Sequence, residues 1–460
     1  MSYNIDLDAV KKQFRYKEDP NKTLKIIHVE PKRAKFIPFN TKFNSDNLDF
    51  SGFVGDFSRK TINKKASKII SKDLINKMTS NILNLPEDKK MYMNDFFEEL
   101  FFEDGQLLFT HPKLVFWLKE SNNVEIAQFL VDIFMEEVEE ELLEKVYSKE
   151  YTEDVLTKNL LSSLEEIKDS NIKKSYICKL SVVKKIFKED FKFLMENKEL
   201  FLEEFENFLK FYYFIYISQL TIKFNKFLDG NPEEFDELYF NLNWEKTSKT
   251  RISYLKGWKI LEKVSTPLFT HRNLLEILNC NENKDILIYW DFKSKVKLSL
   301  LEEERVCCEI DEVIEWYKNS VDIQWLSYKA KEHSSENLIS NKIKEFFDVI
   351  DYQFKNSVRK KPYDDYRKWL IEFAKQNFCK TRGPLGYTLN LNQDIVFLLT
   401  KLAMKKKEKI RIKDLYEEFQ KRGVFLDKDS RESLEEYFEN LNLIEKKSDS
   451  GDAVYVKSIL

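Results

Sequence analysis

Glycine and proline are scarce in this 460-residue chain, nine of each. So few breakers among abundant Leu, Lys and Glu favour helices joined by short connections. Only five cysteines occur, Cys178, Cys280, Cys307, Cys308 and Cys379. Their odd number and the lack of any CxxC spacing exclude a zinc ribbon or a disulfide framework, and point to reduced thiols in a cytoplasmic protein. The four histidines, His28, His111, His271 and His333, form no HExxH or HxH pair able to hold a metal. No GxxxxGK[ST] is present, which argues against a self-contained NTPase. The leading MSYNIDLDAVKKQF has no apolar run, so no signal peptide is expected. The most lipid-like stretch, FYYFIYISQLTI (211–222), falls short of the roughly 18 to 20 residues that cross a bilayer and reads as a buried core helix. No membrane, metal or cofactor is expected.

What is plentiful is core material and segregated charge. Apolar residues make up 42% of the chain, with 38 Phe and 21 Tyr, enough for two to four domains at this length. Net charge is only −3, but residues 1–72 carry 16 basic against 8 acidic side chains, and residues 355–413 carry 16 against 5. Residues 87–150 reverse this, with 6 basic against 17 acidic. Such blocks suit faces that meet different partners, nucleic acid on the basic ones and basic protein on the acidic one. Alternatively, they neutralise one another within the fold.

The chain is expected to be mainly α: a multi-domain helical protein with a C-terminal winged-helix module. Pro31 and Pro38 break the first residues into an extended or irregular arm, 1–60. A helical domain follows over 61–230. Within it Ile126, Phe129, Leu130, Ile133 and Phe134 form an amphipathic stripe. The Glu-rich run after it (Glu136, Glu137, Glu139, Glu140, Glu141, Glu144) reads as a solvated face or a partner patch. DGNPEEFDE (229–237) marks a break into a second, mostly helical domain, 231–380, in which DILIYWDF (285–292) looks like a short strand. TRGPLG (381–386) reads as a linker into a last domain, 386–460.

That last domain reads as helix (Ile395, Leu398, Leu399 and Leu402 inward), strand (409–412), helix, helix and hairpin. DSRE (429–432) looks like a capping box with Asp429 as N-cap, and the third helix is expected to bury Leu434, Tyr437, Phe438 and Leu441. Two strands close on Asp449-Ser450-Gly451-Asp452. The order is that of a winged helix, whose third helix commonly enters the DNA major groove. Here that helix presents Glu432, Glu435, Glu436 and Glu439, which duplex DNA would repel. Protein docking through these acids is the better expectation, and an operator-reading transcriptional regulator the weaker one. Arg382, Lys405, Lys406, Lys407, Lys409 and Arg411 offer sequence-independent phosphate contacts, or else form an exposed lysine-rich turn.

One stretch resembles half of a metal-dependent nuclease: Asp291-Phe292-Lys293 at the end of the expected strand, with Glu276 or Asp285 as the upstream acid. Such D-x-K triplets arise easily in a chain with 34% charged residues. A nuclease is therefore kept only as an alternative.

Three stretches, TRGPLGYTLNLNQDIVFLLTKL (381–402), KIRIKDLYEEFQKRGVFLDKDSRESLEEYFENLNLIEKKSDSGDAVYVKSIL (409–460) and, more loosely, FSGFVGDFSRK (50–60), resemble the DptG (DndG) family of DNA phosphorothioation-dependent restriction proteins. The resemblance implies a role in bacterial defence, as a non-catalytic subunit of a restriction complex that attacks DNA lacking a backbone sulfur mark. It implies DptF-like and DptH-like partner subunits carrying the ATPase and DNA-cleaving motifs, and duplex DNA within the complex. It assigns no catalytic residue to any position of this chain.

Overall fold

The longest helix explains much of the rest. In a computed structural model, Lys198–Lys226 forms one 29-residue helix, and FYYFIYISQLTI within it is buried throughout. A helix apolar on every side has to be surrounded by other elements, and the remaining helices do this. The structure describes residues 3–459 except 20, 22–23, 49, 51, 66–68, 137–153, 282–285, 297–298 and 448–452. Among the described residues no helix is long and apolar enough to cross a membrane.

Before the central helix come α1 (Leu7–Gln13), α2 (Phe53–Thr61), α3 (Ser71–Ser80), α4 (Glu87–Phe101), α5 (Val124–Phe134), α6 (Val155–Ser163) and α7 (Ser181–Glu196); the central helix itself is α8. Strands β1 (Phe102–Glu103) and β2 (Gln106–Leu107) make a small hairpin after α4. Then follow β3 (Tyr239–Leu242), α9 (Ile252–Leu255), α10 (Trp258–Ser265), α11 (Leu268–Leu278), α12 (Asp291–Ser294), α13 (Leu300–Lys318), α14 (Leu338–Lys355) and α15 (Lys360–Asn377). The last part holds β4 (Cys379–Thr381), β5 (Tyr387–Leu391), α16 (Gln393–Met404), β6 (Lys409–Arg411), α17 (Ile412–Gln420), β7 (Phe425–Leu426), α18 (Lys428–Asn440), β8 (Ile444–Lys447) and β9 (Ala453–Lys457). The chain is mainly α, as its composition implies. One cluster of buried apolar side chains runs from Tyr3 to Val456, and a smaller one joins α3, α4 and α6.

Several local expectations are corrected. The N-terminal arm contains α1, because Asp6 accepts hydrogen bonds from the amides of Asp8 and Ala9 and caps it. Residues 286–290 form no strand; they lead by a turn into α12, whose Asp291 carboxylate accepts from the Ile288 amide. TRGPLG is no loose linker but the turn of the β4–β5 hairpin, with Gly383 and Gly386 at positive φ. Strand β5 lies parallel to β3, and β3 parallel to β7, so residues after 386 join a mid-chain strand in one sheet, β4-β5-β3-β7. Asn390 and Asn241 reinforce it by donating to Leu242 O and Leu389 O at 3.0 and 3.5 Å.

The N-cap of α18 is Asp427, not Asp429. Asp427 accepts from the Ser430 amide at 3.0 Å while holding the Arg251 guanidinium, an attachment that Asp429, out in the first turn, matches only by an exposed contact. Burial alone would raise the Asp427 carboxyl, but Arg251 and the Ser430 and Ser253 amides hold it well below the usual carboxylate range. Leu434 and Phe438 are buried as expected, Tyr437 is half-buried against Trp244, and Leu441 is exposed. Beyond these helices, β6, β9 and β8 form an antiparallel sheet in that order; the turn at 449–452 lies outside the described residues.

The end of the chain is tied to α7 by Arg422. Its Nε and Nη2 donate to both oxygens of Asp190 at 2.6 and 2.7 Å, and both residues are fully buried. Removing one partner of such a pair strands the other charge, at a cost of about 3–5 kcal/mol. Asp190→Asn and Arg422→Met should each lower unfolding free energy by about that much, and the double variant by clearly less than their sum. Strictly additive losses in denaturant titrations would mean the two groups do not act as a pair.

His28 and His271 are buried, and desolvation lowers both, His271 to about 3. The unfolded chain protonates them near pH 6.5, whereas the folded one stays neutral. Their contribution is therefore complete above about pH 6.5 and lost as pH falls toward the folded values, by up to about 1.4 kcal/mol per unit each. Urea midpoints between pH 7 and 5 should decline accordingly, and His271→Gln should shallow the slope. An equally steep decline in that variant would assign the effect elsewhere.

Candidate nucleic-acid interface

The sequence SVVKKIFKEDFKFLME makes α7 two-sided. Val183, Phe187, Asp190, Phe191 and Leu194 are buried. At 3.6 residues per turn Lys184, Lys188 and Lys192 then fall in one row on the other side, with Lys185 beside them. At its inner face Asp190 takes Arg422, so the C-terminal residues pack on the same helix. Lys405 ends α16 at a φ of +50°, and the chain reverses there. The reversal brings Lys405 to 3.9 Å from Glu189 and Lys406 to 3.2 Å from Glu196, both acids of α7.

Two concavities follow α7. An open groove of about 1110 Å³ runs between α7, residues 178–181, the turn at 228–233 and α12. A second, of about 540 Å³, lies between α7 and residues 403–407 and shares Glu189 and Lys192 with the first. Seven lysines line the larger groove, and four have carboxylate partners: Lys179 and Lys295 on Asp291, Lys184 on Glu136, Lys293 on Asp229. Lys185, Lys188 and Lys192 have no ion-pair partner among the described residues, and neither does exposed Lys407 across the turn. The result is a strip of positive charge that no carboxylate among the described residues pairs with. Glu136 is held below the usual carboxylate range by hydrogen bonds from Lys174 and Lys184, so it stays ionised at the far edge. Burial pushes the Cys178 thiol up, which leaves it protonated and a poor nucleophile.

The residues singled out in the sequence scatter around this strip. Lys405, Lys406 and Lys407 lie on it. Arg382 does not: its guanidinium donates to Glu245 O at 2.6 Å and Leu242 O at 2.8 Å, beside the end of β3. Lys409 pairs with Glu445 at 2.8 Å, and Arg411 donates to the Tyr455 hydroxyl at 3.2 Å, so both sit on the β6–β9 sheet. On α18, Glu432, Glu436 and Glu439 are exposed and Glu435 is half-buried; Lys446 neutralises Glu439 at 2.5 Å. Of the Glu-rich run only Glu136 is described; Glu137, Glu139, Glu140, Glu141 and Glu144 lie outside the described residues.

The Asp291-Lys293 pair has a structural arrangement. Asp291 is buried with Lys179 at 2.9 Å and Lys295 at 3.1 Å, so a metal ion would have to displace two ammonium groups. Glu276 accepts from Gln13 Nε2 and from the amides of Lys32 and Ala34, holding the N-terminal arm on α11. Asp285 lies outside the described residues. No cluster of three potential metal ligands occurs among the described residues.

The α7 lysines are what the sequence reading missed. Their spacing of four is visible in the sequence, but charge summed over long blocks dilutes it, because the inward Asp190 and the stapling Glu189 and Glu196 cancel them. No protein-family model and no curated protein matches the chain.

If Lys185, Lys188, Lys192 and Lys407 each displace one counterion from duplex DNA, log affinity should fall with log salt at a slope of about −3.6. Changing all four to Gln should weaken binding of any duplex sequence and bring the slope close to zero in fluorescence anisotropy. An unchanged slope would place the DNA contact elsewhere.

Proposed function

We propose that this chain is a non-catalytic subunit of a bacterial phosphorothioation-dependent restriction complex. It holds DNA by its backbone and docks DptF-like and DptH-like subunits that carry the ATPase and cleavage chemistry. The observation that carries the DNA part is the uncompensated lysine strip assembled by α7 and residues 405–407. Four ammonium groups without an ion-pair partner among the described residues, three on the larger groove and Lys407 on the adjoining one, fit a polyanion that is held by its backbone. The sequence resemblance over 381–460 carries the choice of system.

We read residues 393–457 as a winged helix, from the order α16, β6, α17, α18, β8, β9 and the sheet order β6-β9-β8. Its α18 offers carboxylates outward, so a DNA groove would repel it. The same acids suit a basic surface on a partner subunit. In this reading the module works as a clamp: Arg422 fixes it to the DNA-holding helix while α18 faces the partner.

Co-expression with the neighbouring ATPase-type subunits, followed by nuclease digestion and size separation, tests the proposal. A stoichiometric assembly stable in about 0.5 M salt, where exposed charges are screened over a few ångströms, is expected. Glu432→Lys/Glu436→Lys/Glu439→Lys should weaken it at lower salt. A chain that elutes alone under all conditions would overturn the subunit reading, and a footprint on one defined operator would favour a regulator instead.

A further inference from the structure

Four arginines are buried among the described residues, and three of them meet carboxylates. Arg59 has Asp56 at 2.5 Å, Arg251 has Asp427 at 2.5 Å, and Arg422 has Asp190 at 2.6 Å. Arg272, only 8% exposed on α11, has no carboxylate within ion-pair distance among the described residues. Its Nη2 donates to Val29 O at 3.0 Å, and its buried Nε has no acceptor. The rings of Phe269 and Tyr366 lie 5.4 and 5.6 Å from the guanidinium carbon, which eases the charge but takes no N–H. Desolvation is the largest influence on this group, and Glu30 and Glu276 act on it only through space. A buried charge without a partner costs several kcal/mol.

Arg272 lines a pocket of about 280 Å³ beneath residues 30–40 of the N-terminal arm. Phe36, Phe39, Phe224 and Tyr366 give it aromatic walls. Lys35 supplies a second cation without an ion pair among the described residues, its Nζ 5.8 Å from the Tyr176 ring centre. Of the two acids at the pocket, Glu125 already accepts from the Tyr176 hydroxyl at 2.6 Å, and Glu30 is exposed. Glu276 pins the arm in place through the Lys32 and Ala34 amides, so the cover is held by main-chain bonds.

The geometry points to a binding site for a small organic oxyanion, a carboxylate or phosphate monoester on a flat apolar body, seated on Arg272 under the N-terminal arm. The volume lies just under the roughly 300–1000 Å³ of small-molecule pockets, so the ligand is compact. The acids at the pocket disfavour a polyphosphate, and the guanidinium supplies the directional donors that carboxylate and phosphate accept. This site stands apart from the lysine strip and does not depend on the proposed role in restriction.

Benzoate and phenyl phosphate share one aromatic body and differ in the oxyanion head. Each should be titrated into the full chain by calorimetry in about 0.5 M NaCl, which screens exposed lysines. At least one is expected to bind saturably at one site and to raise the melting temperature, and the preferred probe identifies the head group. Arg272→Met should abolish that binding. Should Arg272→Met not fold, Arg272→Lys decides, because it keeps the charge and loses the fork: affinity weakened about tenfold or more supports the site. No saturable binding of either probe to the unmodified chain, or binding unchanged in the arginine variants, would overturn it.

Discussion

The pairing of Arg422 with Asp190 holds the two ends of this architecture together. All five N–H groups of the guanidinium find acceptors: both Asp190 oxygens, Glu418 O and Oε2, and Leu402 O. Tyr212, from α8, donates its hydroxyl to the same Asp190 at 2.6 Å. Taking two charges fully out of water is costly, and only complete hydrogen bonding makes it tolerable. The arrangement has little freedom as a result. The end of α16, the end of α17, the middle of α7 and the central helix converge on one ion pair, and a shift of any of them by a turn would break its hydrogen bonds. Gly423, at a φ of +80°, lets the chain leave this knot where a side chain would strike Phe235.

Because α7 is fixed on its inner face, its outer face has a defined direction. Lys185, Lys188 and Lys192 project where the reversal at Lys405 brings in a second set of lysines, and Glu189 and Glu196 staple that reversal to the same helix. These exposed ion pairs are individually worth about 0–1 kcal/mol, too little to fold anything. Their effect is local: they settle the position of residues 405–407 and leave the neighbouring lysines without an ion pair among the described residues. The charge of the strip is thus a remainder, what is left after Glu136, Glu189, Glu196, Asp229 and Asp291 have each taken another lysine.

Much of this was legible in outline. The helical character followed from the nine glycines and nine prolines, and burial of 211–222 from an uncharged run too short for a bilayer. The α5 stripe and the alternating order of elements after 393 followed from periodicity. What failed to show was long-range. TRGPLG has linker composition, yet β5 after it pairs with β3, some 150 positions upstream. DILIYWDF has strand composition, yet Asp291 folds back onto the Ile288 amide and two lysines, and a turn forms instead. Asp427 and Asp429 look alike as caps; only Arg251, 176 positions away, selects the first. Block sums of charge hid the α7 strip for the same reason, since only the folded chain shows which acids point inward.

The buried arginines show how that distinction works within one molecule. Arg59, Arg251 and Arg422 each sit where a carboxylate and at least one carbonyl oxygen converge, and each joins segments that would otherwise separate: α2 to residues 116–119, β3's connection to α18, α7 to α17. Each of these sites would lose more from deletion of its acid than from replacement of the whole pair. Arg272 is similarly buried, but aromatic rings stand where the acid would be, and a cavity with a second cation lies beside it. One candidate acid, Glu276, is held by three hydrogen bonds to the arm and cannot turn to the guanidinium without releasing the pocket's cover. A chain that pairs every other buried guanidinium has thus built, at this one position, the receiving half of an ion pair.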